Sequence, residues 1–151
     1  MSKRAIAAVI LIAGLCSFPS AQSDQGDRVV KFRQATMTVQ AETFAALSAM
    51  VTGKVPYDPN RARVLSDRAL VLAQITSETF PVSSRNASDS RTRSEVWSEP
   101  QDFSRMMTEY LDKTAAVVAA AKTGSPDSVR AAVIDVGRVC RSCHERYESP
   151  F

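Results

Sequence analysis

Two of the three cysteines and the only histidine of this chain sit together near its C-terminus, as Cys140-Arg141-Ser142-Cys143-His144. They lie on an apolar stripe of helical period: Val129, Val133, Val136, Cys140, Cys143, His144 and Tyr147. On a helix, positions i, i+3 and i+4 share one face. Both thiols and the imidazole therefore address the same flat partner. C-x-x-C-H is the spacing of covalent haem attachment: two thiols reach two vinyl groups on one porphyrin edge, and the next residue offers a nitrogen to iron. The iron side of such a site falls to His144.

Three other chemistries use part of this pattern. A thioredoxin-like pair needs a βαβ setting and a helix N-terminus that lowers a thiol pKa. This motif lies late in a helical stretch. A zinc site needs four ligands as a rule, and no second ligand cluster accompanies this one. A structural disulfide suits an oxidising compartment but leaves His144 without a reason.

The N-terminus is a targeting segment. Lys3 and Arg4 precede an apolar run over residues 5–18, followed by small residues at Ser20, Ala21 and Ser23. This is the form of a secretory signal peptide, with cleavage after Ala21 or as late as Ser23. A retained anchor is the alternative, but the run is short for a membrane span. Leu15 before Cys16 argues against a lipoprotein signal. Removal of residues 1–21 leaves one domain, 22–151, with two cysteines and a periplasmic destination. Loss of Lys3 and Arg4 leaves 17 basic against 16 acidic residues, a net charge of +1. A chain so balanced, with no basic run, is not built for nucleic acid. With 44% hydrophobic and 23% charged residues it is not a disordered chain either.

The mature chain reads as four helices. The first spans about 27–51, with Val30, Arg33, Met37, Ala41, Phe44, Leu47 and Val51 at three- and four-residue steps, and Gly53 beyond its end. The second follows Asp58-Pro59, a capping residue and a proline suited to the first helical position, and carries Val64, Leu65, Leu72 and Ile75 to about Thr79. Residues 81–93 are polar and aperiodic, a loop. The third starts near Ser98, with Pro100 in its first turn and Thr114 interrupting its apolar face. The fourth opens at Ser125-Pro126. Helices of this length with short or moderate connections predict an all-α antiparallel four-helix bundle, with haem c beside the C-terminal helix.

In this combination the chain resembles class II cytochromes c, the cytochrome c prime family, whose haem motif is C-terminal. The resemblance rests on residues 136–147, on Val30-Lys31-Phe32-Arg33-Gln34 with Met37, on Gly53-Lys54-Val55-Pro56-Tyr57-Asp58, and on Phe80-Pro81 and Glu95-Val96-Trp97-Ser98. It implies one haem c per chain, thioethers at Cys140 and Cys143, and His144 as proximal iron ligand. It places Arg33 and Gln34 near the haem propionates, Phe80 against the haem, and Met37 over the distal face. There Met37 is either the sixth ligand of a low-spin centre or an apolar lining. Met50, Met106 and Met107 have no matching motif. The family often has a basic residue four positions after the haem histidine. Here that position is Glu148, with Arg146 close by.

Two functions follow from these residues. One is a periplasmic electron carrier with a Met37–iron–His144 centre, serving redox partner proteins. The other is a five-coordinate module that binds nitric oxide or carbon monoxide. A haem-free helical domain ranks third. With one histidine there is no acid–base pair, so an enzyme is not expected. The resemblance also implies a homodimer through the first two helices.

Overall fold

The computed structural model describes residues 20–150, with side chains from residue 24 onward. The expected signal peptide, with Cys16, lies outside the described residues except for its last two positions. Five helices follow in order: α1 (Ser20–Val51), α2 (Pro59–Ser77), α3 (Glu95–Ser98), α4 (Pro100–Thr123) and α5 (Pro126–Tyr147), with a 3₁₀ turn at Val82–Ser84. α1 packs on α2, α2 on α4, α4 on α5, and α5 returns to α1. The four long helices thus form the bundle, and α3 is a single turn added before α4.

The helix starts follow capping chemistry. Asp58 accepts from the backbone N–H of Asn60 and Arg61 at 2.9 and 3.1 Å, and Pro59 follows at the first helical position. A cap of this kind contributes about 1 kcal/mol. Ser125 accepts from Ser128 N–H at 3.3 Å, ahead of Pro126. Gly53 and Gly124, beyond the ends of α1 and α4, hold φ of 74° and 76°, where a side chain would be strained. Arg130 of α5 donates through Nε to the Val51 carbonyl at 2.6 Å, satisfying one of the carbonyls left open at the end of α1.

α3 and α4 are separate where the sequence pattern reads one helix starting near Ser98. Glu99 precedes Pro100, and the proline ring disfavours the α region for the residue before it. Glu99 accordingly sits at φ −122°, ψ 56°, and the chain turns there.

The core is centred on Leu47, Val117, Val129 and Val136, all fully buried. Two apolar stripes differ from their sequence reading. On α2 the buried face is Ala62, Leu65, Ser66, Ala69, Ala73 and Thr76, whereas Val64 is 57% exposed. On α1, Ala41 is exposed while Thr36, Gln40 and Thr43 are buried. The two threonine hydroxyls are satisfied locally, whereas Gln40 donates across the seam and its buried Oε1 has no hydrogen-bond partner among the described residues. Thr36 and Thr43 donate to the carbonyls four residues back at 2.9 and 2.8 Å, and Gln40 donates to Ala69 O at 3.3 Å. A hydroxyl bonded in this way is buried at little cost. Thr114 of α4 follows the same rule, donating to Tyr110 O at 2.8 Å.

Candidate functional site

α5 carries Cys140, Cys143 and His144 toward a two-lobed cavity between α1, α4 and α5. One lobe is about 420 Å³ and the other about 440 Å³, and Met37, Phe80, Cys143 and His144 line both. The first lobe is the polar end, lined by Arg33, Gln34, Arg91 and Tyr147. The second is apolar, lined by Phe44, Met106, Met107, Tyr110, Val133 and Cys140 among others. All seven residues singled out from the sequence therefore line this one cavity. Met106 and Met107 also reach it, on the apolar side, while Met50 belongs to the core cluster.

The two thiols are free and half-buried. Burial pushes the Cys140 thiol up, and burial together with the neighbouring Cys140 pushes Cys143 up to about 11. A redox-active pair requires the opposite shift, toward thiolate at neutral pH. No group of three His, Cys, Asp or Glu side chains converges as a metal site among the described residues. Raised thiols late in a helix of an all-helical bundle run against the thioredoxin-like reading.

Arg33 is only 5% exposed. Its guanidinium donates to Thr79 O at 2.5 Å, to Ser84 Oγ at 3.5 Å and to Ser90 Oγ at 3.2 Å. It also lies 4.6 Å from the centre of the Phe80 ring. It is therefore no solvated helix-face charge. Desolvation lowers its pKa, and among the described residues no carboxylate pairs with it. Gln34 beside it is exposed and donates to Asp89 O at 3.1 Å.

An aromatic wall stands next to these groups. Phe80 meets Phe103 edge-on at 4.9 Å, and Phe103 meets Tyr147 at 5.2 Å. Pairs of this geometry add about 0.5–1.5 kcal/mol beyond burial. The Phe80 carbonyl accepts from Trp97 Nε1 at 3.1 Å, which ties α3 to the wall.

The far end of α5 holds Glu148, the position at which the sequence departs from the family's common basic residue, and it meets a loop residue that the sequence does not flag. Glu148 Oε2 lies 3.2 Å from His144 Nδ1, and Glu148 Oε1 lies 3.2 Å from Arg91 Nη1. Arg146 faces away: its Nη2 donates to Glu99 at 2.6 Å and to Asp102 at 2.7 Å. The cation beside His144 and Glu148 is Arg91, from a polar loop whose sequence has no period to flag it.

The family model described as cytochrome c' matches residues 28–148. The chain belongs to the cytochrome c' family. Among its relatives is a cytochrome c-554 of Cereibacter sphaeroides, 32% identical over 149 residues, spanning 95% of this chain and 97% of that protein. A cytochrome c' of Alcaligenes xylosoxydans xylosoxydans is 30% identical over 118 residues, spanning 78% of this chain and 91% of that one. A solved cytochrome c prime of Alcaligenes xylosoxidans, a ferrous variant with bound NO, superposes with a TM-score of 0.78. That structure is 28% identical and covers 83% of this chain and 97% of its own.

The haem c of cytochromes c' fits the residues present. A buried cation without a carboxylate partner is costly, and Arg33 lines the polar lobe where haem propionates would supply one. Tyr147 Oη, buried and without a hydrogen-bond partner among the described residues, belongs to a side chain that lines the same lobe. Neutral thiols, a histidine and an apolar lobe complete a donor set suited to a porphyrin.

Proposed function

We propose that this cytochrome c' family member is a one-electron carrier of the periplasm, with one haem c attached covalently through Cys140 and Cys143. His144 provides the proximal ligand and Met37 the sixth. When bound, the haem supplies a reversible ferric–ferrous couple whose potential follows from its axial ligands, hydrogen bonds and burial. The protein residues do the rest. Arg33, fixed by Thr79 and two loop serines, offers a pre-oriented guanidinium to a propionate. Gln34 offers a neutral donor beside it. Phe80 and its aromatic neighbours exclude water from the site.

The observation that supports this reading best is the position of Met37. Together with His144, Cys143 and Phe80, it lines both lobes. We read the protein as a carrier rather than an enzyme, because its single histidine is assigned to iron. Its partners are then redox proteins. The basic and apolar N-terminal segment argues for export, and no described helix is long and apolar enough to cross a membrane.

Capture of nitric oxide or carbon monoxide is the second reading. Two observations favour it: the apolar lobe beside Met37, lined by Phe44, Met106, Met107 and Val133, and the relative whose solved structure holds NO. In that reading Met37 lines the distal face without binding iron. Replacing Met37 by Ala separates the two. The carrier reading expects the holoprotein to change from a low-spin to a high-spin absorption spectrum. An unchanged spectrum rules out Met37 as ligand and moves gas binding ahead.

A further inference from the structure

Glu148 occupies the position where a cation is common in this family, and the structure holds it in place from three sides. α5 ends at Tyr147, and Glu148 is extended at φ −118°, ψ 132°, its N–H donating to His144 O at 3.0 Å. Segment 91–93 runs antiparallel to the chain after α5. Arg93 N–H donates to Tyr147 O at 2.8 Å and Ser149 N–H to Arg91 O at 2.8 Å, flanking the Thr92–Glu148 bridge. Arg91 then clamps the side chain. Its Nη1 lies 3.2 Å from Glu148 Oε1, while Nε and Nη2 donate to Ser149 O at 3.1 and 2.8 Å. The other carboxylate oxygen is left 3.2 Å from Nδ1 of His144, one helical turn back.

A carboxylate can only accept at that distance. We propose that Glu148, braced by Arg91, is a positioning residue for the iron ligand: it takes the Nδ1–H of His144, which leaves Nε2 with its lone pair for iron. A ligating histidine whose other nitrogen donates to a carboxylate is fixed in tautomer and ring orientation, and is a stronger electron donor. A stronger donor favours ferric over ferrous iron, so Glu148 holds the reduction potential down while a methionine ligand pushes it up. Two opposed levers then set the potential, and neither residue lies within the haem motif. The inference rests on His144 as iron ligand.

The test is redox titration of the holoprotein with Glu148→Gln, Glu148→Leu and, as a control, Glu145→Gln. The glutamine variant keeps the length and an acceptor oxygen but removes the charge. The leucine variant removes both. Glu145 is an exposed carboxylate next to His144 in sequence, and it has no such contact. At the wild-type midpoint the ferrous-to-ferric ratio is expected to rise about ten-fold in E148Q, a shift of ~59 mV for one electron, and at least as far in E148L. E145Q is expected to move it less than two-fold. Ratios within two-fold of wild type in both Glu148 variants overturn the role of Glu148, and so does an equal shift in E145Q. If E148L does not fold, E148Q decides alone. A protein that binds no haem sinks the ligand assignment and this inference together. A haem protein with unmoved potential sinks only the inference.

Discussion

At the scale of single residues, the site is made by a few side chains whose surroundings decide their chemistry. Arg33 shows this most clearly. A charged residue on a helix looks like a solvated one, yet this guanidinium is held by Thr79 O and two loop serines and sits against Phe80. Another such residue is Gly26 of α1. A Cβ there would come within 2.6 Å of the Ser83 carbonyl oxygen, a backbone atom that has little room to give. The 3₁₀ turn at Val82–Ser84 therefore lies directly on α1, next to the residues that hold Arg33. Gly26→Ala is expected to destabilise the fold by about 1–3 kcal/mol, the usual cost of overpacking. Thermal unfolding checks it, and an unchanged Tm would show that the turn moves freely.

Among elements, the link between α4 and α5 is electrostatic at one end. Asp102, in the first turn of α4, accepts from Arg146 and Arg105 at 2.7 Å each. The Arg146 hydrogen bond first, and then Arg105, hold the Asp102 carboxyl below the usual carboxylate range. A lowered pKa means the folded state releases this proton more readily than the unfolded chain. The stabilisation is thus complete above the unfolded carboxylate pKa and is lost as pH falls through the lowered value. The Asp102 side chain is 37% exposed, so screening keeps the effect small. Asp102→Asn is expected to lower stability slightly at neutral pH and to leave it unchanged below the lowered pKa, which flattens the acid limb of stability against pH. A steep acid limb in the variant would assign the loss to other carboxylates.

The elements also show how far sequence reasoning reaches. Asp58-Pro59 and Ser125-Pro126 mark two helix starts correctly, because a cap and a proline act within one turn. The C-x-x-C-H face is legible for the same reason: its geometry is internal to α5. The buried face of α1 is legible only in part: Val30, Arg33, Leu47 and Val51 are buried as their spacing indicates, whereas Thr36 and Thr43 conceal their polarity in bonds four residues back. Val64 looks like a core residue by spacing, but small residues around it, Ala62, Ser66, Ala69 and Ala73, form the close-packed side of α2. Arg91 cannot be found from its neighbours, because its role depends on contact with Glu148 and Ser149, more than 50 positions away. Arg146 is closer to His144 in sequence, yet its side chain is engaged by Glu99 and Asp102 at the start of α4.

For the whole molecule, α1, α4 and α5 enclose one cavity, with the C-terminal segment tied beneath it. Outside that cavity large apolar side chains remain exposed. Phe32 and Val39, seven residues apart on α1, are 56% and 47% exposed. Val64 and Val71, likewise spaced on α2, are 57% and 53% exposed. Residues seven apart share a helix face, and these are the faces that the homodimer implied by the family resemblance would bury. Val64→Glu is expected to halve the mass seen by sedimentation without lowering haem content. A wild-type protein that sediments as a monomer at every concentration would contradict the dimer.

The most direct measurement is the optical absorption spectrum of the purified holoprotein, oxidised and reduced. A covalently bound haem c with a low-spin spectrum in both states is the expected result, since His144 and Met37 are proposed as its two iron ligands. A high-spin spectrum would contradict Met37 as ligand and give the gas-binding reading the lead. Absence of haem absorption, in protein made by a strain able to attach haem, would contradict the site itself.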